Sequence, residues 1–172
     1  MDCIAHYDSP LGGITLAGDG EALVGLWFDG QAHFGEGLSP DAEARPLSVL
    51  DEARRWLDGY FGGIAPDFTP RLAPRGTAFR QAVWKALREI PFGQIATYAG
   101  IAARLGLSSA SARAVGGAVG HNPISLIIPC HRVLGANGSL TGYAGGLERK
   151  RQLLRLERAD LPGREISGVE GE

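Results

Sequence analysis

Apolar and polar positions follow two different periods along this 172-residue chain. Over the first 28 residues the apolar runs are short and separated by turn residues. Residues 4–7, 14–17 and 23–28 predict strands, broken by Ser9-Pro10-Leu11-Gly12-Gly13 and by Gly18-Asp19-Gly20, which together make an antiparallel meander. Residues 30–46 lack a period and predict loop. From 47 to 61 the period lengthens to that of a helix, with Leu50, Leu57 and Phe61 on or near one stripe and Asp51, Arg54, Arg55 and Asp58 on a solvated face. Residues 62–76 carry Pro66, Pro70 and Pro74 and predict a linker between domains.

The second part is helical. Thr77 is placed to cap a helix whose Phe79, Val83, Leu87 and Ile90 share a face, and Pro91-Phe92-Gly93 ends it. Thr97 caps the next, with Ile101, Ala102 and Leu105 facing inward and Gly106 stopping it. Ser108 or Ser109 opens a third helix reaching about Gly120, so that the last two form a helix-turn-helix candidate. On the third helix Ala112, Val115 and Val119 make the core face, while Ser109, Arg113, Gly116, Gly117 and Gly120 fall opposite. Glycine costs a helix about 1 kcal/mol relative to alanine, so three glycines beside one arginine predict a flat surface for close approach, to nucleic acid or to another helix. The apolar run 126–128 predicts a buried strand. A final helix from 147 to about 160 buries Leu147, Leu153 and Leu154, followed by a polar tail from about 161. The expected fold class is α+β, with domains at 1–70 and 71–172.

Charge sharpens this division. Residues 1–70 hold 12 Asp/Glu against 3 Arg, a net of −9, and residues 71–147 hold 8 Lys/Arg against Glu89 alone, a net of +7. A basic stretch after an acidic one points to a polyanion partner, or to attraction between the two parts. No apolar run approaches the ~18 residues of a membrane span, and the N-terminus lacks the basic and apolar regions of a signal peptide. Two cysteines make no disulfide framework, which predicts a cytoplasmic setting. Cys3, His6 and His33 are too scattered to predict a metal site, and neither metal nor cofactor is expected.

Candidate chemistry centres on Cys130, which follows the apolar run and Pro129 and precedes His131. A thiol attacks as thiolate and needs a base or positive field beside it. Adjacency does not supply that on a strand, where neighbouring side chains point to opposite faces. Glu157 shares the apolar stripe of the last helix with Leu153 and Leu154, and a carboxylate there needs a partner. A histidine would complete a nucleophile, base and orienter in Cys130, His131 and Glu157; an arginine would make a plain ion pair.

Pro129-Cys130-His131-Arg132-Val133 resembles the active-site signature of the O6-alkylguanine-DNA alkyltransferases. The likeness extends through Ala112-Arg113-Ala114-Val115-Gly116-Gly117-Ala118, Asn122-Pro123 and Tyr143-Ala144-Gly145-Gly146-Leu147. It implies a ribonuclease-H-like first domain and a helical second domain that binds double-stranded DNA carrying O6-alkylguanine, as a monomer, through the minor groove with the damaged base flipped out. It implies that Cys130 takes the alkyl group irreversibly, with His131 as base through a water, Glu157 as its orienter and Tyr98 protonating the departing guanine. Asn122 would brace the turn, the carbonyls of Cys130 and Val133 would accept from the base, and Ala144, beside Tyr143, would donate its N–H to the guanine oxygen. Arg113 would fill the vacated stack, among DNA contacts that include Thr97, Ser109, Ala112, Gly116 and Gly117. Ala144, Ser125 and Gly120 depart from residues common in the family, and the zinc ligands of some members are absent. The alternatives are a non-catalytic sensor of alkylated DNA, a helix-turn-helix regulator and a Cys-His hydrolase.

Overall fold

The computed structural model describes residues 1–159; the tail expected from about 161 and the last residue of the expected final helix lie outside them. The chain forms two compact units. The first is Met1–Gly76 together with Pro123–Ile127; the second is Thr77–Asn122 together with the chain from Ile128 onward.

In the first unit the expected meander is present as β1 (Cys3–Ser9), β2 (Gly12–Gly18) and β3 (Leu23–Phe28). Successive strands pair antiparallel, with Tyr7 opposite Ile14 and Ile14 opposite Phe28. The stretch expected as loop contributes a fourth strand, β4 (Glu43–Ala44), parallel to β1, giving the order β3-β2-β1-β4. Two residues carry too little pattern to be read as a strand, and only pairing defines them. Helix α1 (Ser48–Phe61) packs on this sheet through Val49, Leu50, Ala53, Trp56, Leu57 and Tyr60. Phe61, expected on the inner stripe, is half-buried and stacks on Tyr7 with ring centroids 6.5 Å apart.

The free edge of β3 is covered by two segments. Leu23 donates its N–H to Arg71 at 2.7 Å and accepts from Ala73 at 2.8 Å, so the proline-rich stretch expected as a linker is bonded along the sheet. Leu26 likewise donates to Pro123 at 2.8 Å and accepts from Ser125 at 2.9 Å. Unpaired edge N–H and C=O groups are costly to bury, and these returns satisfy them. The strand expected at 126–128 is instead a turn. Leu126 has φ 72° and Ile127 bonds back to Ser125, so the apolar run is buried without a strand partner.

In the second unit Thr77 caps α2 (Ala78–Leu87) by accepting from the Arg80 N–H at 3.2 Å. The helix stops before Ile90, because Glu89 and Ile90 bond three residues back as the chain tightens toward Pro91. Phe79, expected inside, is 39% exposed; Trp84 fills that role, its indole N–H bonded to the Ala118 carbonyl at 2.8 Å. Thr97 caps α3 (Tyr98–Arg104), and Gly106, at φ +75°, ends it. A 3₁₀ turn at Ser109–Ser111 leads into α4 (Ala112–Gly120), and α2, α3 and α4 pack on one another. The inner face of α4 is Val115, Ala118 and Val119, with Ala112 only half-buried. Helix α5 (Leu147–Leu156) buries Lys150, Leu153 and Leu154, whereas Leu147 is 43% exposed. A short parallel pair, β5 (Ala96–Thr97) with β6 (Val133–Leu134), ties the start of α3 to the segment after Cys130. Among the described residues no helix is long and apolar enough to cross a membrane.

Candidate active site

The chain around Cys130 is a 3₁₀ turn, Cys130–Arg132, running into β6. At three residues per turn, successive side chains diverge by about 120°. Cys130, His131 and Arg132 therefore leave the backbone in three directions rather than on the two faces of a strand. The Ile128 carbonyl holds the turn at its start, accepting from the Cys130 N–H and from Asn122 Nδ2, both at 2.8 Å. The Cys130 carbonyl accepts from the Val133 N–H, leaving its second lone pair for another donor. Burial pushes the Cys130 thiol up, opposed by a hydrogen bond from Asn122 and by the field of Lys150.

His131 and Arg132 turn inward to the same carboxylate. His131 Nε2 lies 2.6 Å from Glu157 Oε2, while Arg132 reaches Oε1 through Nε at 2.8 Å and Oε2 through Nη2 at 3.1 Å. Gly93, at φ +81°, aims its N–H at Oε1 from 3.0 Å. Arg132 also donates to the Ile90 carbonyl at 2.6 Å and lies over the Phe92 ring. Both partners considered for Glu157 are thus present together. Burial by itself raises the Glu157 carboxyl, but the His131 and Arg132 bonds outweigh it and hold the group well below the usual carboxylate range. Burial lowers His131, against the pull of Glu157 and with the help of the Arg132 and Lys150 charges. A neutral imidazole facing an ionised carboxylate must carry its proton on Nε2, because that carboxylate only accepts. Nδ1 is then the basic nitrogen.

A 120 Å³ pocket opens on Cys130, lined by Tyr98, Gly116, Val119, Gly120, Gly142, Tyr143 and Ala144. Tyr98, Tyr143 and Ala144 line the pocket at the thiol, whereas Val133 and Asn122, the latter hydrogen-bonded to the thiol, are outside its lining and Ser125 belongs to the first unit. Gly116 and Gly120 are half-buried pocket wall, not part of an exposed flat face; a methyl on Gly116 would sit 3.7 Å from the Tyr98 ring. An adjoining 650 Å³ cleft shares Tyr98 and Gly116 with this pocket and brings together Thr97, Ala99, Ala112, Arg113, Ala136 and Asn137. Ser109 and Gly117 are exposed and outside that lining.

Lys150 escaped the sequence reading. It is fully buried and donates through Nζ to the carbonyls of Thr141 and Gly142 at 2.8 and 3.1 Å, securing the segment that roofs the pocket. Its Nζ lies 6.0 Å from the Tyr98 ring centre, and burial brings its pKa down to about 8, against the pull of Cys130. The signal was available: Lys150 is three residues before Leu153 and four before Leu154, on the stripe that singled out Glu157. In the sequence Gly93 marks only a helix stop and Arg132 only a position in the motif around Cys130.

Residues 4–74 match the 6-O-methylguanine DNA methyltransferase ribonuclease-like domain, and residues 78–159 match the DNA binding domain of the same family. A methylated-DNA–protein-cysteine methyltransferase from Methanosarcina acetivorans is 47% identical over 157 residues, covering 89% of this chain and 96% of that protein. The enzyme of that name from Haemophilus influenzae is 44% identical, covering 89% and 84%. Among solved structures, the Mycobacterium tuberculosis OGT in complex with DNA superposes with a TM-score of 0.80 at 44% identity, covering 94% of this chain and 96% of that one.

Proposed function

The chain belongs to the 6-O-methylguanine DNA methyltransferase family, and from that membership we propose that it repairs DNA by moving an alkyl group from O6-alkylguanine onto Cys130. The observation that carries this reading is a buried thiol opening on a small pocket, with a His–Glu pair immediately behind it. The alkylated oxygen of a stacked guanine is out of reach of a buried thiol, so the nucleotide is flipped into the pocket. Arg113, exposed on α4 at the rim of the adjoining cleft, fills the gap it leaves in the stack.

The transfer is a displacement at the alkyl carbon. The thiol of Cys130 passes its proton through a water to His131, and Glu157 stabilises the imidazolium that forms. Sulfur then bonds the alkyl carbon while the carbon–oxygen bond breaks and its electron pair returns to the guanine. Tyr98, on the pocket wall, protonates the departing base and regains a proton through solvent as the His131 imidazolium releases its own, so the proton lost by the thiol is matched by the one gained on guanine. Lys150 beside Cys130 favours the thiolate during the step, opposing the burial that keeps the resting thiol protonated.

The product is a thioether, which is a poor leaving group and resists water. Cys3, the other cysteine, lies on β1 of the other unit and is not part of the pocket. Each chain therefore accepts one alkyl group and stops. Mixed with excess O6-methylguanine duplex, the protein is expected to give a burst equal to its own concentration and then nothing, with one methylene added to the Cys130 peptide. Sustained turnover, or release of methanol, would refute the proposal.

A further inference from the structure

Arg132 is the one member of the buried cluster to which the transfer chemistry gives no task. Its guanidinium forks onto both oxygens of Glu157, reaches the Ile90 carbonyl and covers Phe92, so its position is fixed from three sides. We propose that Arg132 is a positioning residue for the transfer, one that neutralises Glu157 and thereby keeps His131 an uncharged imidazole with its proton on Nε2. The inference rests on the reading of Cys130 as alkyl acceptor with His131 as its base.

Charge counting in a low-dielectric interior carries it. Glu157 and Arg132 sum to zero, so a neutral His131 leaves the cluster uncharged, and an extra proton on the imidazole would leave a net positive charge buried. Without Arg132 the same cluster is −1 with neutral imidazole and zero with imidazolium. Glu157 would then hold a proton on both nitrogens of His131, and a doubly protonated ring cannot accept from the thiol. Among the groups acting on His131, Arg132 and Lys150 are cationic and oppose its protonation, whereas Glu157 favours it. Geometry adds a second role. Arg132 Nη2 and His131 Nε2 share Oε2, while Gly93 and Arg132 Nε hold Oε1, so the carboxylate cannot rotate away from the ring.

The test is imidazole nitrogen NMR on the full chain, with His131 assigned against His131→Gln, alongside single-turnover transfer across pH. In the wild type the ring is expected to be neutral with Nε2 protonated at and above the ordinary histidine midpoint near 6.5, because burial and the neighbouring cations lower it. In Arg132→Met it is expected to stay cationic above that midpoint, because the pull of Glu157 is no longer opposed by Arg132. Transfer should be slowed at least ~10-fold at pH 6.5 and recover as pH rises, because a midpoint higher by one on the pH scale lowers the neutral fraction about tenfold. Arg132→Lys restores the charge and should return the acid limb toward that of wild type. A wild-type ring that is cationic at pH 7, or protonated on Nδ1, would overturn the proposal even if Arg132→Met failed to fold. So would a pH profile in Arg132→Met parallel to that of wild type. A wild-type chain that leaves Cys130 unalkylated would sink the reading of the transfer instead, and the NMR outcome would stand apart from it.

Discussion

Each unit of the molecule hides one carboxylate in the fork of one arginine, and the two pairs do different things. In the first, Asp2 takes Arg75 Nη1 and Nη2 at 2.8 and 2.9 Å and the Ser39 N–H at 2.9 Å. In the second, Glu157 takes Arg132 through Nε and Nη2, with Gly93 in the place of Ser39. Asp2 stitches the N-terminus to residues 39 and 75, and the Arg75 side chain is 40% exposed, so its attraction is partly screened. Glu157 adds a third partner, His131, whose neighbour in the chain is the thiol. An arginine–carboxylate fork is by itself a staple. Under the proposed transfer, the imidazole sharing its oxygen is what turns the second fork toward chemistry.

The largest effect expected is that of removing the nucleophile. Cys130→Ser touches neither fork and should abolish methyl transfer while leaving affinity for alkylated DNA within a few-fold of wild type, as a band shift would measure. Retained transfer would move the acceptor elsewhere, to Cys3. Glu157→Gln follows. It leaves Arg132 buried without its counter-charge, a loss on the order of 3–5 kcal/mol, and should also depress single-turnover transfer in whatever protein remains folded. Full activity in folded Glu157→Gln would reduce the second fork to a staple as well.

Asp2→Asn should cost less, about 1–3 kcal/mol in a denaturant melt, and leave the transfer rate of folded protein unchanged. The pair also sets a pH dependence. The Arg75 hydrogen bond holds Asp2 well below the usual carboxylate range despite its burial. A depressed folded value gives stability that is complete above the unfolded value near 4 and is lost as pH falls toward the folded one. Glu157 acts in the same direction. Stability should therefore fall below about pH 4, and less steeply in Asp2→Asn; equal slopes would mean that the first fork contributes nothing. The smallest effect belongs to Arg113→Ala, which takes part in neither fork. It should slow repair of duplex DNA by roughly tenfold, the scale of one lost DNA contact, and act much less on free O6-benzylguanine. Equal losses on both substrates would remove the stacking role.

Some of this molecule was legible residue by residue. Thr77 and Thr97 announce their helices because a cap bonds only three residues ahead, within reach of local pattern. The meander was equally plain, since hairpin strands pair with their sequence neighbours. Glu157 could be singled out because a carboxylate on an apolar stripe demands a partner. The same rule applies to Lys150, an ammonium on that stripe that is likewise buried. Phe79 and Leu147 show the converse, apolar residues at the right period that nevertheless face outward near helix starts.

What the sequence by itself determined is therefore local: the strands of the meander, the helices with their caps, the family signature around Cys130 and the need of Glu157 for a counterpart. Tertiary structure decided which counterparts it received. It brought Gly93 to a carboxylate 64 residues away, and it bent Cys130–Arg132 into a 3₁₀ turn that sends the thiol to the pocket and its two neighbours to Glu157. It also decided that residues 71–73 and 123–125 bond along β3, and that β5 pairs with β6 across 37 residues. The reason is that a local preference depends on a few adjacent residues, whereas these contacts depend on which distant groups must satisfy buried charge and backbone polarity once the core has closed.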